Sequence, residues 1–153
     1  FAPFASLLRD PQTYEDYDEV IITHTCREVG ELEYGKQLIE DIRADEMLNE
    51  LIGTDNLAKL KYYPTTTRED SPKMGRITDL MRSGAAFADL GVDPINPESD
   101  RAMVCGNLAF NIEIRADRGR QFQTCRICGG KGVSGLIRQT ASTRQHPNEW
   151  AAL

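Results

Sequence analysis

The chain has 153 residues, 18 Lys+Arg against 24 Asp+Glu, a formal charge of −6 and 40% hydrophobic residues. That length leaves room for one domain, or two very small ones, and the acidic balance argues against non-specific binding to nucleic acid. No apolar run reaches the ~18 residues of a transmembrane helix, FAPFASLL does not read as a secretory signal because it is short and lacks a basic flank, and four scattered cysteines at 26, 105, 125 and 128 predict a reducing, cytosolic setting rather than a disulfide framework.

Ala2–Arg9 reads as a short helix with Pro3 near its start. Glu19–Cys26, EVIITHTC, is β-branched and nearly continuous, which predicts a strand buried on both faces. Gly30–Leu51 carries a helical stripe of Leu32, Leu38, Ile39, Ile42, Met47 and Leu48. Leu60–Thr67 is strand-like, although Pro64 cannot sit inside a central ladder. Arg76–Leu90 predicts a helix with Gly91 as its C-cap. Ala102–Cys105 is a short buried strand that stops at Gly106, and Asn107–Ile114 begins another helix. Strands alternating with helices predict βαβ units and a parallel sheet.

Charge divides the chain near Arg115. Residues 1–114 carry a net −11, and residues 115–153 a net +5. The tail has little apolar periodicity and contains GGKGVSG and QTASTRQHPNE, both loop-like compositions. The expected organisation is therefore an α/β unit over 1–114 and an irregular tail over 115–153.

In an open α/β sheet, ligands bind beyond the carboxyl ends of the strands, so chemistry is expected at Thr23–Arg27, Thr65–Arg68 and Cys105–Asn107. The first place, THTCR, offers hydroxyls and the Arg27 guanidinium to a phosphate. A surface Arg27 paired with Glu28 or Glu31 is the plainer alternative. His24 has no second His nearby with which to share a metal. In the second place Arg68 and Arg76 flank a turn containing Pro72 and Gly75 and could converge on one dianion, with Thr66 and Thr67 as further donors. An Arg pair of this kind suits a 2′-phosphate, which separates NADP from NAD. A solvated turn with both Arg paired to Glu69 and Asp70 is the alternative. In the third place Gly106 lets a ligand ring approach the backbone. Cys105 beside it either touches a nicotinamide or packs as a small buried hydrophobe.

Neither GxGxxG nor GxxxxGKS occurs. Cys125-x-x-Cys128 is half a zinc site or a redox pair, with only His146 near it in sequence. No metal is expected, and a zinc or redox interaction protein built on that tail is the least favoured alternative.

APFASLLRDP, DEVIITHTCR, ELEYGKQLIE, KLKYYPTTTRED, MGRITDLMRSG, FADLGVDPINPESDRAMVCGN and LAFN closely resemble the NADP-binding, C-terminal domain of bacterial ferredoxin/flavodoxin–NADP reductases. The resemblance covers about residues 1–114. Flavin-containing nitrate and cytochrome reductases share the two-domain plan, but TTTRED…MGRITD favours the ferredoxin/flavodoxin group. In that family an N-terminal β-barrel domain binds FAD, and a second domain, a five-stranded parallel sheet, binds NADP(H). Electrons pass through the flavin between NADPH and ferredoxin or flavodoxin. The resemblance thus implies a three-layer, doubly wound parallel sheet. It implies that Arg68 and Arg76 hold the 2′-phosphate with help from Thr67, that Arg27 serves the pyrophosphate, and that Cys105 and Gly106 line the nicotinamide approach. It implies a cytoplasmic oxidoreductase with neither nucleic-acid nor membrane partners.

Two departures shape the expectation. Family members carry a strand and an STGTGL-type turn before APFASLL, so the chain is expected to be truncated, lacking the FAD domain and the first, central strand of the sheet. The family's closing strand, of the type EFVVEKAF, is also missing after Ile114. Back-translation of the tail in a shifted frame allows FGLTEGANSRPAEFVVEKAF, followed by a stop across Leu136-Ile137. Residues from about Arg115 are therefore expected to be a frameshift product. Such a chain is expected to fold poorly and to be inactive without its flavin domain. The alternative is a stand-alone NADP(H)-binding module that complements a separate flavoprotein domain.

Overall fold

The β-branched run ending at Cys26 forms strand β1 (Tyr17–Cys26), whose last seven residues are buried. In the computed structural model, which describes residues 2–96, 98–118, 123–124 and 134–141, β1 pairs in parallel with β2 (Leu60–Thr66), from Val20 opposite Leu60 to Cys26 opposite Thr66. Three further strands complete the sheet: β3 (Asp100–Cys105), β4 (Gln123–Thr124) and β5 (Ser134–Ala141). The order is β2-β1-β5-β3-β4. β2 is thus an edge strand, where a sheet tolerates a proline such as Pro64.

The sheet is mixed, not wholly parallel. β5 pairs antiparallel with both β1 and β3, so β1, β2, β3 and β4 share one direction and β5 alone opposes them. Within the stretch expected to be irregular, residues Ser134–Ala141 form a strand, and β5 lies between β1 and β3. The physical reason is backbone satisfaction. Both β1 and β3 are buried strands whose N–H and C=O groups need partners. Context of that kind overrides the weak strand propensity of SGLIRQTA.

The helices lie on both faces. On one face α1 (Ala2–Leu7), α2 (Pro11–Asp16), α3 (Glu33–Ala44), α4 (Glu46–Ile52) and α5 (Thr54–Leu57) bury Phe4, Leu8, Tyr14, Leu38, Ile39, Ile42, Ile52 and Leu57 against Val20, Ile22 and Leu60. On the other, α6 (Ile77–Arg82), α7 (Ala85–Leu90) and α8 (Leu108–Arg118) bury Ile77, Met81, Phe87, Phe110 and Ile114 against Tyr63, Ala102 and Val104. The alternation of strand side chains between two apolar layers is what makes a three-layer α/β unit.

Local chemistry sets the helix boundaries. The Asp10 carboxylate accepts the Gln12 N–H at 3.0 Å and Pro11 opens α2. The stripe over 30–51 resolves into a 3-10 turn (Val29–Leu32), α3 and α4. Its break falls at Asp45, whose carboxylate accepts the N–H groups of Met47 and Leu48. The helix expected over 76–90 divides at Gly84, which takes φ +80°, and Gly91 ends α7 at φ +64°. The Asn107 side-chain carbonyl accepts the Phe110 N–H at 2.9 Å and starts α8. Among the described residues no helix is long and apolar enough to cross a membrane.

Candidate functional site

Because β1, β2 and β3 run the same way, Cys26, Thr66 and Cys105 end them at one edge of the sheet. All three sequence-predicted places therefore lie along that edge. β1 and β2 are joined beyond their last ladder pair. The Cys26 carbonyl accepts the Thr67 N–H at 3.0 Å, and the Arg27 carbonyl accepts those of Arg68 and Glu69 at 3.1 and 3.2 Å. The Thr67 hydroxyl also donates to the Cys26 carbonyl at 3.2 Å. This bonding places the backbones of Arg27 and Arg68 side by side, a closeness that a separation of 41 positions in the sequence does not reveal.

Two carboxylates that the sequence suggested only as ion-pair partners of the arginines hold these loops through backbone N–H groups instead. Glu31 accepts the N–H groups of Arg27 at 2.8 Å and of Glu28 at 3.2 Å, and these bonds hold its carboxyl below the usual range. Glu69 accepts the Val29 N–H at 2.6 Å, bonding the β2 loop to the β1 loop. Glu31 thus serves the Arg27 backbone, not its guanidinium. The Glu28–Glu31 spacing, three residues apart at the mouth of a helix, was the available sequence signal. Among the described residues, neither Arg27 nor Arg68 forms a salt bridge, and both are exposed.

Thr66 is fully buried. Its hydroxyl donates to the Glu69 carbonyl at 2.6 Å and lies 2.7 Å from the Ser71 hydroxyl, which reaches the Lys73 carbonyl at 2.8 Å. It therefore shapes the turn, and Thr67 is the more exposed of the two threonines. The same turn returns alongside β2: Thr66 donates its N–H to the Lys73 carbonyl, and the Thr66 carbonyl accepts the Gly75 N–H at 2.8 Å. Arg76 follows directly and starts α6. Its guanidinium is paired with Glu113 of α8, not with Glu69 or Asp70.

Beneath this edge lies a buried polar chain. The Tyr62 hydroxyl is 2.9 Å from His24 Nδ1, His24 Nε2 is 3.2 Å from Cys26 Sγ, and Cys26 Sγ is 3.7 Å from the Glu31 carbonyl. One proton order satisfies all three contacts: Tyr62 donates to Nδ1, Nε2 donates to sulfur, and the thiol donates to Glu31. Burial pushes the imidazole down to about 4, against the opposing pull of Glu31, and pushes the Cys26 thiol up to about 11. Both groups are thus neutral at pH 7. Gly35 of α3 makes room for them, since a Cβ there would stand 2.5 Å from both His24 Nδ1 and the Tyr62 oxygen. His24 is a packed, hydrogen-bonded imidazole.

At the end of β3, Cys105 is buried in the first core and its sulfur is disulfide-bonded, whereas Cys26 is a free thiol. The buried Gly106 and the exposed Asn107 lead into α8, where the Asn111 amide donates to both of their carbonyls at 3.0 Å. Cys125-x-x-Cys128 and His146 lie outside the described residues.

The chain is 59% identical to the flavodoxin/ferredoxin–NADP reductase of Rhodobacter capsulatus over 113 residues, 74% of this chain and 40% of that protein. It is 47% identical to ferredoxin–NADP reductase A of Sorangium cellulosum over 106 residues, covering 69% and 37% respectively. It is 46% identical to the ferredoxin–NADP reductase of Pseudomonas aeruginosa over 115 residues, covering 75% and 43%. No protein-family model matches the chain. The chain is thus a homologue of bacterial ferredoxin/flavodoxin–NADP reductases over part of their length, and it spans about two fifths of these relatives.

Proposed function

We propose, from this homology, that residues 1–114 form the NADP(H)-binding unit of a flavin-dependent reductase that moves electrons between NADPH and ferredoxin or flavodoxin. The observation that supports it most is the bonded pair of loops at the carboxyl edge. It presents Arg27 and Arg68, exposed and without salt bridges among the described residues, from adjacent backbones. Guanidinium groups in such a place suit a phosphorylated nucleotide. In this reading Arg68 and Arg76 take the 2′-phosphate, with the Thr67 hydroxyl beside them, and Arg27 takes the pyrophosphate. Thr66 acts through the turn it shapes. Cys105 and Gly106 border the nicotinamide. FAD would supply the step between two-electron and one-electron chemistry, and no described residue is assigned to it.

The test is binding, since activity depends on the flavin. Titration of the chain with NADPH and with NADH should show a preference for NADPH. Arg68→Ala should weaken NADPH binding about tenfold or more, the loss of one charge-assisted contact, and leave NADH binding nearly unchanged. A folded chain that binds the two nucleotides alike, or that is indifferent to Arg68→Ala, defeats the reading.

The same proposal carries a statement about the remaining residues: from about Arg115 they are translated in a shifted frame. Support comes from the run of family-like residues recovered by back-translation. Genomic sequencing across codons 110–140 decides it. A shifted frame encoding EGANSRPAEFVVEKAF is the expected result, and a nonsense frame there removes the statement.

A further inference from the structure

We infer that Glu113 tunes the affinity for 2′-phosphate, and with it the preference for phosphorylated nucleotide, by competing with that phosphate for Arg76. The inference rests on the reading that Arg68 and Arg76 hold the 2′-phosphate. Arg76 stands at the mouth of α6, directly after the turn that Thr66 clasps through Gly75. Its guanidinium is engaged by one oxygen of the Glu113 carboxylate, while the other oxygen receives Arg82 at 3.1 Å. Arg82 in turn reaches Asp79 at 2.8 Å. One carboxylate on α8 therefore bridges two arginines at opposite ends of α6.

The two members of the Arg76–Glu113 pair are unequal. The Arg76 side chain is 57% exposed and Glu113 21%, and Glu113 lies between the buried Phe110 and Ile114 on its helix. The carboxylate is the anchored partner and the guanidinium the one with room to turn. A phosphate takes guanidinium N–H groups of the kind a carboxylate takes, and its charge of about −1.5 to −2 repels a neighbouring carboxylate. Binding a 2′-phosphate at Arg76 therefore requires the Arg76–Glu113 pair to open. Arg82 sets how readily it opens, because it is the partner to which Glu113 turns once Arg76 leaves. A nucleotide without the 2′-phosphate makes no demand on Arg76 and is indifferent to Glu113.

Titration calorimetry of the full chain with 2′-AMP and 5′-AMP at low salt tests this. Glu113→Gln should tighten 2′-AMP binding about two- to fivefold, the range of a partly exposed charge pair, and leave 5′-AMP unchanged. Arg82→Ala should weaken 2′-AMP binding when Glu113 is present and have no effect in the Glu113→Gln background, a non-additivity that a merely structural role does not produce. Thermal unfolding of each variant confirms that it is folded. Unchanged or weaker 2′-AMP binding by Glu113→Gln, in a chain where Arg68→Ala does lower that affinity, overturns the inference alone. Indifference of 2′-AMP binding to Arg68→Ala overturns the underlying reading and the inference with it.

Discussion

The β1–β2 half and the β3–β5 half of the sheet are held together in different ways. β1 and β2 run parallel in unbroken register over seven pairs, and their bonding continues past the strands into the loops. β5 lies between β1 and β3, antiparallel to each, with Ile137 opposite both Ile22 and Met103. The first half contributes loops with guanidinium and hydroxyl groups to the carboxyl edge. The second contributes Gly106 and Asn107 from β3, while β5 contributes backbone pairing. The binding chemistry thus comes from strands of one direction, and the opposed strand closes the ladder between them.

The sharpest way to break that comparison is a proline in each half. Pro64 already sits in β2 at the sheet edge, opposite His24. Ile137→Pro puts the same ring into a strand paired on both sides, where it removes an N–H and forces apart a ladder neighbour. We expect a loss of about 3 kcal/mol or more, read as a collapse of the thermal transition. If Ile137→Pro unfolds at the wild-type temperature, β5 is not holding β1 and β3 together.

Much of the first half was legible in the sequence. The buried run Glu19–Cys26, the edge position of Pro64 and the strand-end hydroxyl and Arg clusters all followed from residue type and period. What was not legible depended either on local caps that override periodicity or on contacts across the fold. Asp45 stopping a helical stripe is a local cap that competes with periodicity. Gly84 divided α6 from α7 by its left-handed backbone at φ +80°. β5 carries no strong pattern of its own, and its strand state is set by the unpaired edges of its neighbours. Glu69 and Glu113 had no spacing signal, because their partners Val29, Arg76 and Arg82 lie 40, 37 and 31 positions away.

The buried chain of Tyr62, His24 and Cys26 sharpens the comparison through pH. The folded His24 titrates at about 4, below its ordinary 6.5. Below pH 6.5 the unfolded chain therefore takes up a proton that the folded chain refuses. Stability from this source is complete above about pH 6.5 and is lost as pH falls towards 4. The loss amounts to roughly 2 kcal/mol by pH 5. Glu31 and Asp89, both held below their ordinary values of 4.5 and 3.8, lose their contributions only at lower pH. Thermal unfolding between pH 7 and 5 should thus fall steadily in the wild type and be nearly flat in His24→Gln. A wild-type profile as flat as that of the variant refutes the buried neutral imidazole.

The smallest expected effect concerns the bond between the two loops themselves. Glu69 both accepts the Val29 N–H and places a negative charge beside the arginines that face the ligand. These two roles act in opposite directions on phosphate binding, and two substitutions separate them. Glu69→Gln keeps an acceptor oxygen and removes the charge, so NADPH should bind at least as well as to the wild type. Glu69→Ala removes both, frees the β1 loop from the β2 loop and costs about 1 kcal/mol of stability. The difference between the two variants isolates the inter-loop bond. If Arg27 and Arg68 act together only because their loops are joined, Glu69→Ala binds NADPH more weakly than Glu69→Gln by about two- to fivefold, the range of an exposed charge-assisted contact. If the two variants bind alike, the backbone bonds from the Arg27 carbonyl to Arg68 and Glu69 suffice to hold the loops together, and the register of β1 against β2 alone places the two guanidinium groups.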